Sequence, residues 1–412
     1  MRKINPHHFY VAKRSTSRDI NRSIALSLIR EHHPISRAEL ARRMDVGRNV
    51  VTFLVNDLIS DGLIYEGATA QAARGRKPTL LHVRNRHRLI VAVDIRFSQT
   101  HLMLTDLSGL QIALEGFDTI FSPARLVEEL ARRIAQLLDR HEGVSRCEGI
   151  GVSVPGVVDY PTQRILNAPA LGWKNVDLRE SLAAATGLSV HIENAAKTSA
   201  LAQMWHGRND SIGGQNFAFV SVSDGIGVGI VINGELLRGV ANMAGEFGHT
   251  PLSLDGPRPH CMCGATGCWQ AYASNIATLS RYLKRDLSKI KPHSLLKGSK
   301  SEGTITIADL INRARLGESR ALEAIQDTGR YIGLGLATIV NALNPAHFYI
   351  SGEITLAWDL IEDMVRMALS ERALIPSAIK TPIHRVAATD YPRLRGAAAL
   401  VAAPTFAAPR VA

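Results

Sequence analysis

The sequence predicts an α/β protein in two parts, a winged helix-turn-helix at the amino end and a larger body behind it. Three observations carry this. Positive charge is concentrated at one end: residues 1–90 hold 17 Lys/Arg against 7 Asp/Glu, whereas the rest of the chain holds 31 against 30. Within the basic segment, three stretches of helical periodicity precede two strand-like runs. Beyond it, strand-like runs first follow one another and then alternate with helices, the pattern of a mixed α/β body. A chain of 412 residues with 46% hydrophobic content can bury a large core and make two or three domains. We expect the first boundary at 85/86.

In the basic segment, Asp19–Glu31 places Ile20, Ile24 and Leu28 at helical spacing. ISRAELARRM follows, where Ser36 and Glu39 have the spacing of a capping box and the short helix turns Leu40 and Met44 inward. Asp45-Val46-Gly47 is a tight turn into RNVVTFLVNDLISDGLI. There Val50, Val51, Leu54, Val55, Leu58 and Ile59 form an apolar face, and Arg48, Asn49, Thr52, Phe53 and Asn56 lie on the open side.

Two short helices around a Gly-containing turn of this length read as a helix-turn-helix, whose second helix enters the major groove of double-stranded DNA. Arg48, Asn49 and Thr52 are the candidate base contacts, because Arg and Asn make bidentate bonds to guanine and adenine edges. A small helical bundle for protein contacts is the alternative, and the basic charge weighs against it. Next, LIYEGATAQAARGRKPTLLHV reads as two strands around a basic loop. In such a wing Arg74, Arg76 and Lys77 lie along phosphates or enter a narrow minor groove. A solvated linker is the equal alternative.

The amino-terminal MRKINPHHFYVAKRSTSRDINR is charged throughout, and no run of ~18 apolar residues follows, so we expect a soluble, cytoplasmic chain with no membrane partner. A reducing compartment disfavours disulfides. Of four cysteines, Cys261, Cys263 and Cys268 are clustered in HCMCGATGCWQ, which leaves metal binding or redox chemistry. Their spacing lacks the C-x-x-C of redox pairs. Cys147, alone before a buried strand, reads as a core residue.

The body opens with the strand-like runs LIVAVDI, HLMLTDL and LQIALEGF, then the helical PARLVEELARRIAQLLDRH. CEGIGVSVPGVVD, LSVHIEN and FAFVSVSDGIGVGIVING come next, and a long helical region starts near Ile305. GVSVPGVVD, NAPALGWKNVDL, IENAAK, GIGVGIVINGELLRGVANMAGEFGHTPL and CMCGATGCWQAYAS, in this order, resemble the ROK family of sugar kinases and sugar-responsive repressors. The resemblance covers about Asp19 to Leu400. It implies that residues 86–412 form a sugar-sensing and oligomerisation body of two lobes in the actin-like, ribonuclease-H-like ATPase fold. The sugar pocket would lie between the lobes. Residues 1–85 match the winged-helix extension of the family's repressors.

At the positions matched by His249, Cys261, Cys263 and Cys268, the resemblance implies a structural zinc ion. One imidazole and three thiolates suit tetrahedral zinc and leave no open position for a catalytic water. Gly264 and Gly267 permit the tight turns of such a loop, and His260 is a competing ligand. The implied sugar contacts are Gly156, Asn194, Glu246, His249 and the position held by Gln270. Such planar polar groups suit ring hydroxyls that both donate and accept. His249 would serve metal through one ring nitrogen and sugar through the other. From the residues alone, Glu246 reads equally as a helix-start residue and Asn194 as a turn residue.

The chain departs from the family's pattern in four places. Gln270 stands where sugar-responsive members commonly carry an acid. Glu193-Asn194-Ala195-Ala196-Lys197 lacks the aspartate of the kinases' E-N-D-A-N, which takes the proton from the attacking hydroxyl. Asp94-Ile95-Arg96-Phe97-Ser98-Gln99 replaces their D-x-G-G-T-K, putting bulk where glycines let the backbone approach phosphates. NPAHFYISGEI keeps only Gly352 of a glycine run, and SDGIGVGI alone still resembles a phosphate loop. The expected molecule is a non-catalytic, sugar-responsive repressor acting on operator DNA as a homodimer or homotetramer. An active sugar kinase with an accessory DNA-binding domain and a ligand-independent DNA-binding protein are the alternatives.

Overall fold

Helices Arg14–His32, Arg37–Met44 and Arg48–Ser60 form the amino-terminal unit of a computed structural model that describes residues 14–32, 34–69, 79–84, 88–141, 147–206, 215–252, 258–287 and 305–406. The second helix begins where Ser36, in extended conformation, accepts the Glu39 amide at 3.2 Å. The other half of the expected capping box is replaced, because the Glu39 carboxylate pairs with Arg42 and Arg43 one turn on. Arg48–Ser60 buries Val51, Leu54, Val55 and Leu58, but Val50 is 43% exposed, so its apolar stripe is narrower than the sequence suggested. In the first helix Ala25, Leu26 and Ile29 are buried and Ile24 is not, which rotates that stripe from the expected one.

Strands Ile64–Thr69 and Thr79–Val83 pair antiparallel, and the two-residue strand Ile35–Ser36 adds to the second of them. This is the expected wing. Its tip, with Arg74, Arg76 and Lys77, lies outside the described residues.

The body holds two five-stranded sheets built on one plan. In the first, Leu89–Ile95, Gln99–Asp106 and Gln111–Asp118 form an antiparallel meander, and Cys147–Val154 and Val190–Asn194 continue in parallel from Leu89–Ile95. In the second, Phe217–Val222, Ile226–Ile232 and Glu235–Leu236 meander, and His347–Ser351 and Ile383–Val386 continue in parallel from Phe217–Val222. LIVAVDI is apolar at nearly every position because it is the central strand, buried on both faces. Helix Pro123–Asp139 covers the first sheet through Leu126, Leu130, Ile134 and Leu137. Ser319–Leu343 and Trp358–Arg372 supply the core of the second lobe.

Two helices tie these parts together. Ala195–His206 lies against the last helix, Pro392–Phe406, and also against Ile226–Ile232 of the second sheet. The glycines of SDGIGVGI admit that helix: a Cβ on Gly229 would stand 2.4 Å from the Ala196 carbonyl oxygen. One apolar cluster runs from Ala25, Leu26 and Ile29 through Leu81 and Val83 into Ile90 and Ala92 of the first sheet and Leu394 and Ala397 of the last helix. The packing therefore continues past 85/86. The Arg30 guanidinium lies over the Trp205 ring at 3.7 Å, and Arg88 donates to the Asp61 carbonyl at 3.2 Å.

Trp269 is 1% exposed and donates to the Tyr331 carbonyl at 2.8 Å. Its ring fills the place of a side chain at position 335, where a Cβ would stand 1.9 Å from Cε2. Trp269→Ala is expected to cost about 3–5 kcal/mol, read by urea unfolding. A loss below about 1 kcal/mol would remove this contact from the supports of the second lobe. No helix among the described residues is long and apolar enough to cross a membrane.

Candidate functional site

The 3₁₀ turn Glu246–His249 and the cysteine loop meet at a single point. The ligand atoms of His249, Cys261, Cys263 and Cys268 all lie within 4.8 Å of one another. Cys261 Sγ is 3.7 Å from His249 Nδ1, and Cys263 Sγ is 3.8 Å from Cys268 Sγ. Thiolates at a zinc–sulfur distance of ~2.3 Å occupy tetrahedron corners ~3.8 Å apart, so the thiol spacing fits that ion.

The backbone holds the loop in place. Pro251 bridges Cys268, Trp269 N–H donates to Thr250, and Gly264 and Gly267 take positive φ. Burial first, and then the neighbouring Cys261 and Cys263, push the Cys268 thiol up to about 12. A dication at the centre reverses that penalty. His260 is exposed and stands outside the cluster, its backbone bridging Thr266.

Gly156, Asn194, Glu246, His249 and Gln270 all line one interlobe cleft of about 220 Å³. His249 turns Nδ1 to the cysteines and Nε2 toward Glu246, 3.9 Å away. Asn194 caps a helix and also lines the cleft. Its Oδ1 accepts the amides of Ala196 and Lys197, capping the helix, while Nδ2 donates to the Gly156 carbonyl at 2.7 Å. Glu246 likewise begins a turn and faces the cleft. Gln270 has its amide engaged: Nε2 donates to Cys261 Sγ at 3.1 Å, and Oε1 accepts the Ile226 amide at 3.4 Å. It braces a thiol of the His/Cys cluster as well as lining the cleft.

At the other end of the cleft, Asp94 is fully buried and accepts from Arg96 Nε at 2.5 Å. Arg393 donates to Ser221 Oγ at 3.2 Å, and Glu353 accepts from Asn275 at 2.9 Å. Arg96, Arg393, Asp224 and Glu353 all line this end. Burial, then Glu353, raises the Asp224 carboxyl above its usual range. Residue 195, where the kinase pattern places its aspartate, is a buried alanine.

On the amino-terminal unit, Arg48, Asn49 and Thr52 are exposed along the start of Arg48–Ser60, beside Phe53, which is 56% exposed under the Arg18 guanidinium. Arg37 braces this face by donating to the Thr52 carbonyl and to Asn56 and Glu66. Arg18 and Arg22 pair with Asp57 and Asp61, fixing the first helix to the third.

Residues 90–403 match the ROK family profile. The chain belongs to the ROK family. It is 29% identical over 367 residues to the xylose repressor of Bacillus subtilis, covering 88% of this chain and 89% of that protein. It is 32% identical over 250 residues to the glucokinase of Halalkalibacterium halodurans, covering 60% of this chain and 74% of that one. In fold it matches the crystal structure of a ROK family transcriptional regulator, a homologue of the E. coli Mlc protein. That match has a TM-score of 0.77 and 24% identity, over 95% of this chain and 97% of the other.

Sequence reasoning missed one buried network, which adjoins this ROK cleft at Asn194. Glu193, 2% exposed, receives Arg238, Asn242 and the Asn194 amide, and Lys197 Nζ donates to the Asn242 carbonyl at 2.6 Å. Arg238 in turn lies 4.0 Å over the Tyr160 ring. The signal was a glutamate and a lysine flanking one strand–helix junction in IENAAK. Their partners lie 45 and 49 residues away in sequence, beyond the reach of local pattern.

Proposed function

We propose that this sugar-responsive transcriptional repressor senses its sugar without phosphorylating it and passes the signal to the DNA-binding helices through one rigid element. The observation that carries this reading is the helix Ala195–His206. Asn194 caps it inside the cleft, and Trp205 near its far end lies under Arg30 of the first helix. Closing the lobes on a sugar held by Asn194, Gly156, Glu246 and His249 would move this helix and the unit packed on it. Ligand affinity and DNA affinity then shift together.

His249, Cys261, Cys263 and Cys268 would hold a structural zinc ion, which would fasten the cysteine loop to the Glu246–His249 turn and leave no position for a catalytic water. These side chains hold His249 so that Nε2 stays aimed at the cleft. Arg74, Arg76 and Lys77 are proposed as phosphate contacts, and two copies of Arg48–Ser60 in a homodimer or homotetramer would read a palindromic operator in the cytoplasm.

The name of the Bacillus subtilis relative makes xylose the first sugar to test. Operator fragments selected by the full-length protein are expected to be released by xylose or another neutral sugar. A panel that neither releases DNA nor raises the melting temperature would sink the sensor reading. Arg48→Ala and Asn49→Ala are each expected to relax preference at particular base pairs by about 1–3 kcal/mol. An unchanged operator profile in both variants would reject the assigned recognition helix.

A further inference from the structure

Behind the cysteine loop lies a second cavity, of about 770 Å³. It shares a wall with the sugar cleft, because Met262, Gln270 and Asp224 face both. It touches the Arg96–Arg393 end of that cleft only at Asp224, and no residue of the Glu353–Ala357 turn lines it. Tyr272 and Tyr331 also line it, with ring centroids 5.1 Å apart.

Its charged lining is Arg258, Arg281, Lys284 and Arg285 against Asp224 and Asp286, with the imidazole of His260 beside them. Arg281 is committed to the fold, donating to the Tyr272 carbonyl and Thr328. Arg258, Lys284 and Arg285 differ: among the described residues, no ion pair or side-chain hydrogen bond engages them.

Helix-end electrostatics explains part of this, since Lys284 and Arg285 follow the carboxyl end of helix Asn275–Leu283, where cations are favoured. It does not explain Arg258, which lines the same cavity from the cysteine loop, in a different part of the chain. A concave, aromatic-lined space with four cationic side chains against two carboxylates suits an external anion.

We propose that this cavity is a second effector site for a small phosphorylated or carboxylated metabolite. Its anionic group is held by Arg258, Lys284 and Arg285, and its body lies against Tyr272 and Tyr331. Because the shared wall includes Gln270, which bonds Cys261 Sγ, occupancy here acts on the loop that positions His249. That regulatory half rests on the sugar-sensor reading; anion binding does not.

The test is calorimetric titration of the full-length, zinc-loaded protein with inorganic phosphate, glucose 6-phosphate and citrate at constant ionic strength. Saturable binding of at least one is expected, with the phosphate and citrate arms separating the two anion chemistries. Arg258→Ser combined with Arg285→Gln, both at exposed positions, is expected to weaken it ~10-fold or more without altering the melting temperature of the anion-free protein. Absence of saturable binding by all three anions, or unchanged affinity in the double variant, overturns the site. A neutral sugar that binds should change affinity in saturating anion by the same factor as the anion does in saturating sugar. A sugar affinity indifferent to the anion overturns the regulatory role. Failure of every neutral sugar to bind tells against the sensor reading instead and leaves the anion result standing.

Discussion

Cys263→Ser is expected to purify without zinc, where the unmodified protein holds about one ion per chain, and to melt well below it. Cys263 is the exposed cysteine of the cluster, whereas Cys261 and Cys268 are buried. Replacing it therefore removes a ligand without opening a cavity, which separates the metal's contribution from packing. Structural zinc contributes about 10–16 kcal/mol in small zinc-finger peptides. Less should be lost here, because the Pro251–Cys268 bridge and the Trp269 amide already pin the loop. Even about 3 kcal/mol corresponds to a fall of about 6–12 °C for a lobe-sized unit. The sugar response should weaken as well, since without the ion only Cys261 Sγ would be left to fix His249 Nδ1 and so to aim Nε2 into the cleft. Cys147→Ser is the control: that thiol lies half-buried against Gly149, outside the cluster, and its replacement should leave zinc in place. Metal analysis with thermal melts decides the matter, and a zinc-free protein as stable as the loaded one would refute a structural role.

What was legible in the sequence was what short-range periodicity and ligand chemistry encode. The turn at Asp45-Val46-Gly47, the buried Val51–Leu54–Val55–Leu58 stripe and the wing strands follow from local spacing. Cys261, Cys263 and Cys268 stood out by type and His249 through the family resemblance, although the meeting of all four within 4.8 Å depends on the fold. Long-range packing was not legible. The repeated sheet plan is hidden because strands Phe217–Val222 and His347–Ser351, hydrogen-bonded neighbours, are separated by the whole helical insertion of the second lobe. The glycines of SDGIGVGI looked like a phosphate loop, yet Gly227 and Gly229 yield space to Ala196 and Ala200. Gln270 was read through the sugar it faces, whereas its amide is held by a thiol and a hairpin. Each of these depends on a partner distant in sequence, which no periodicity reports.

The unmodified chain is expected to transfer no phosphate from ATP to hexoses, amino sugars or pentoses above background. A positioned base contributes ~10²- to 10⁴-fold to a rate, so the alanine at 195 alone would leave a slow enzyme. The closed end of the cleft removes the other requirement, which is positioning of the triphosphate. Arg96 occupies a glycine position and binds the buried Asp94, Arg393 is drawn to Ser221, and Asp224 and Glu353 add carboxylates beside them. Three carboxylates against two guanidiniums leave no cationic surplus for an anion of several charges. These defects concern different steps, so neither single repair should restore turnover. Ala195→Asp gains a base without a bound nucleotide, and replacing Arg96-Phe97 by Gly-Gly clears space without a base. Both variants should stay at background in a coupled assay at millimolar sugar and ATP. Turnover by the unmodified chain that is abolished by Asn194→Ala or Glu246→Ala would establish a bifunctional kinase and end the regulator-only reading.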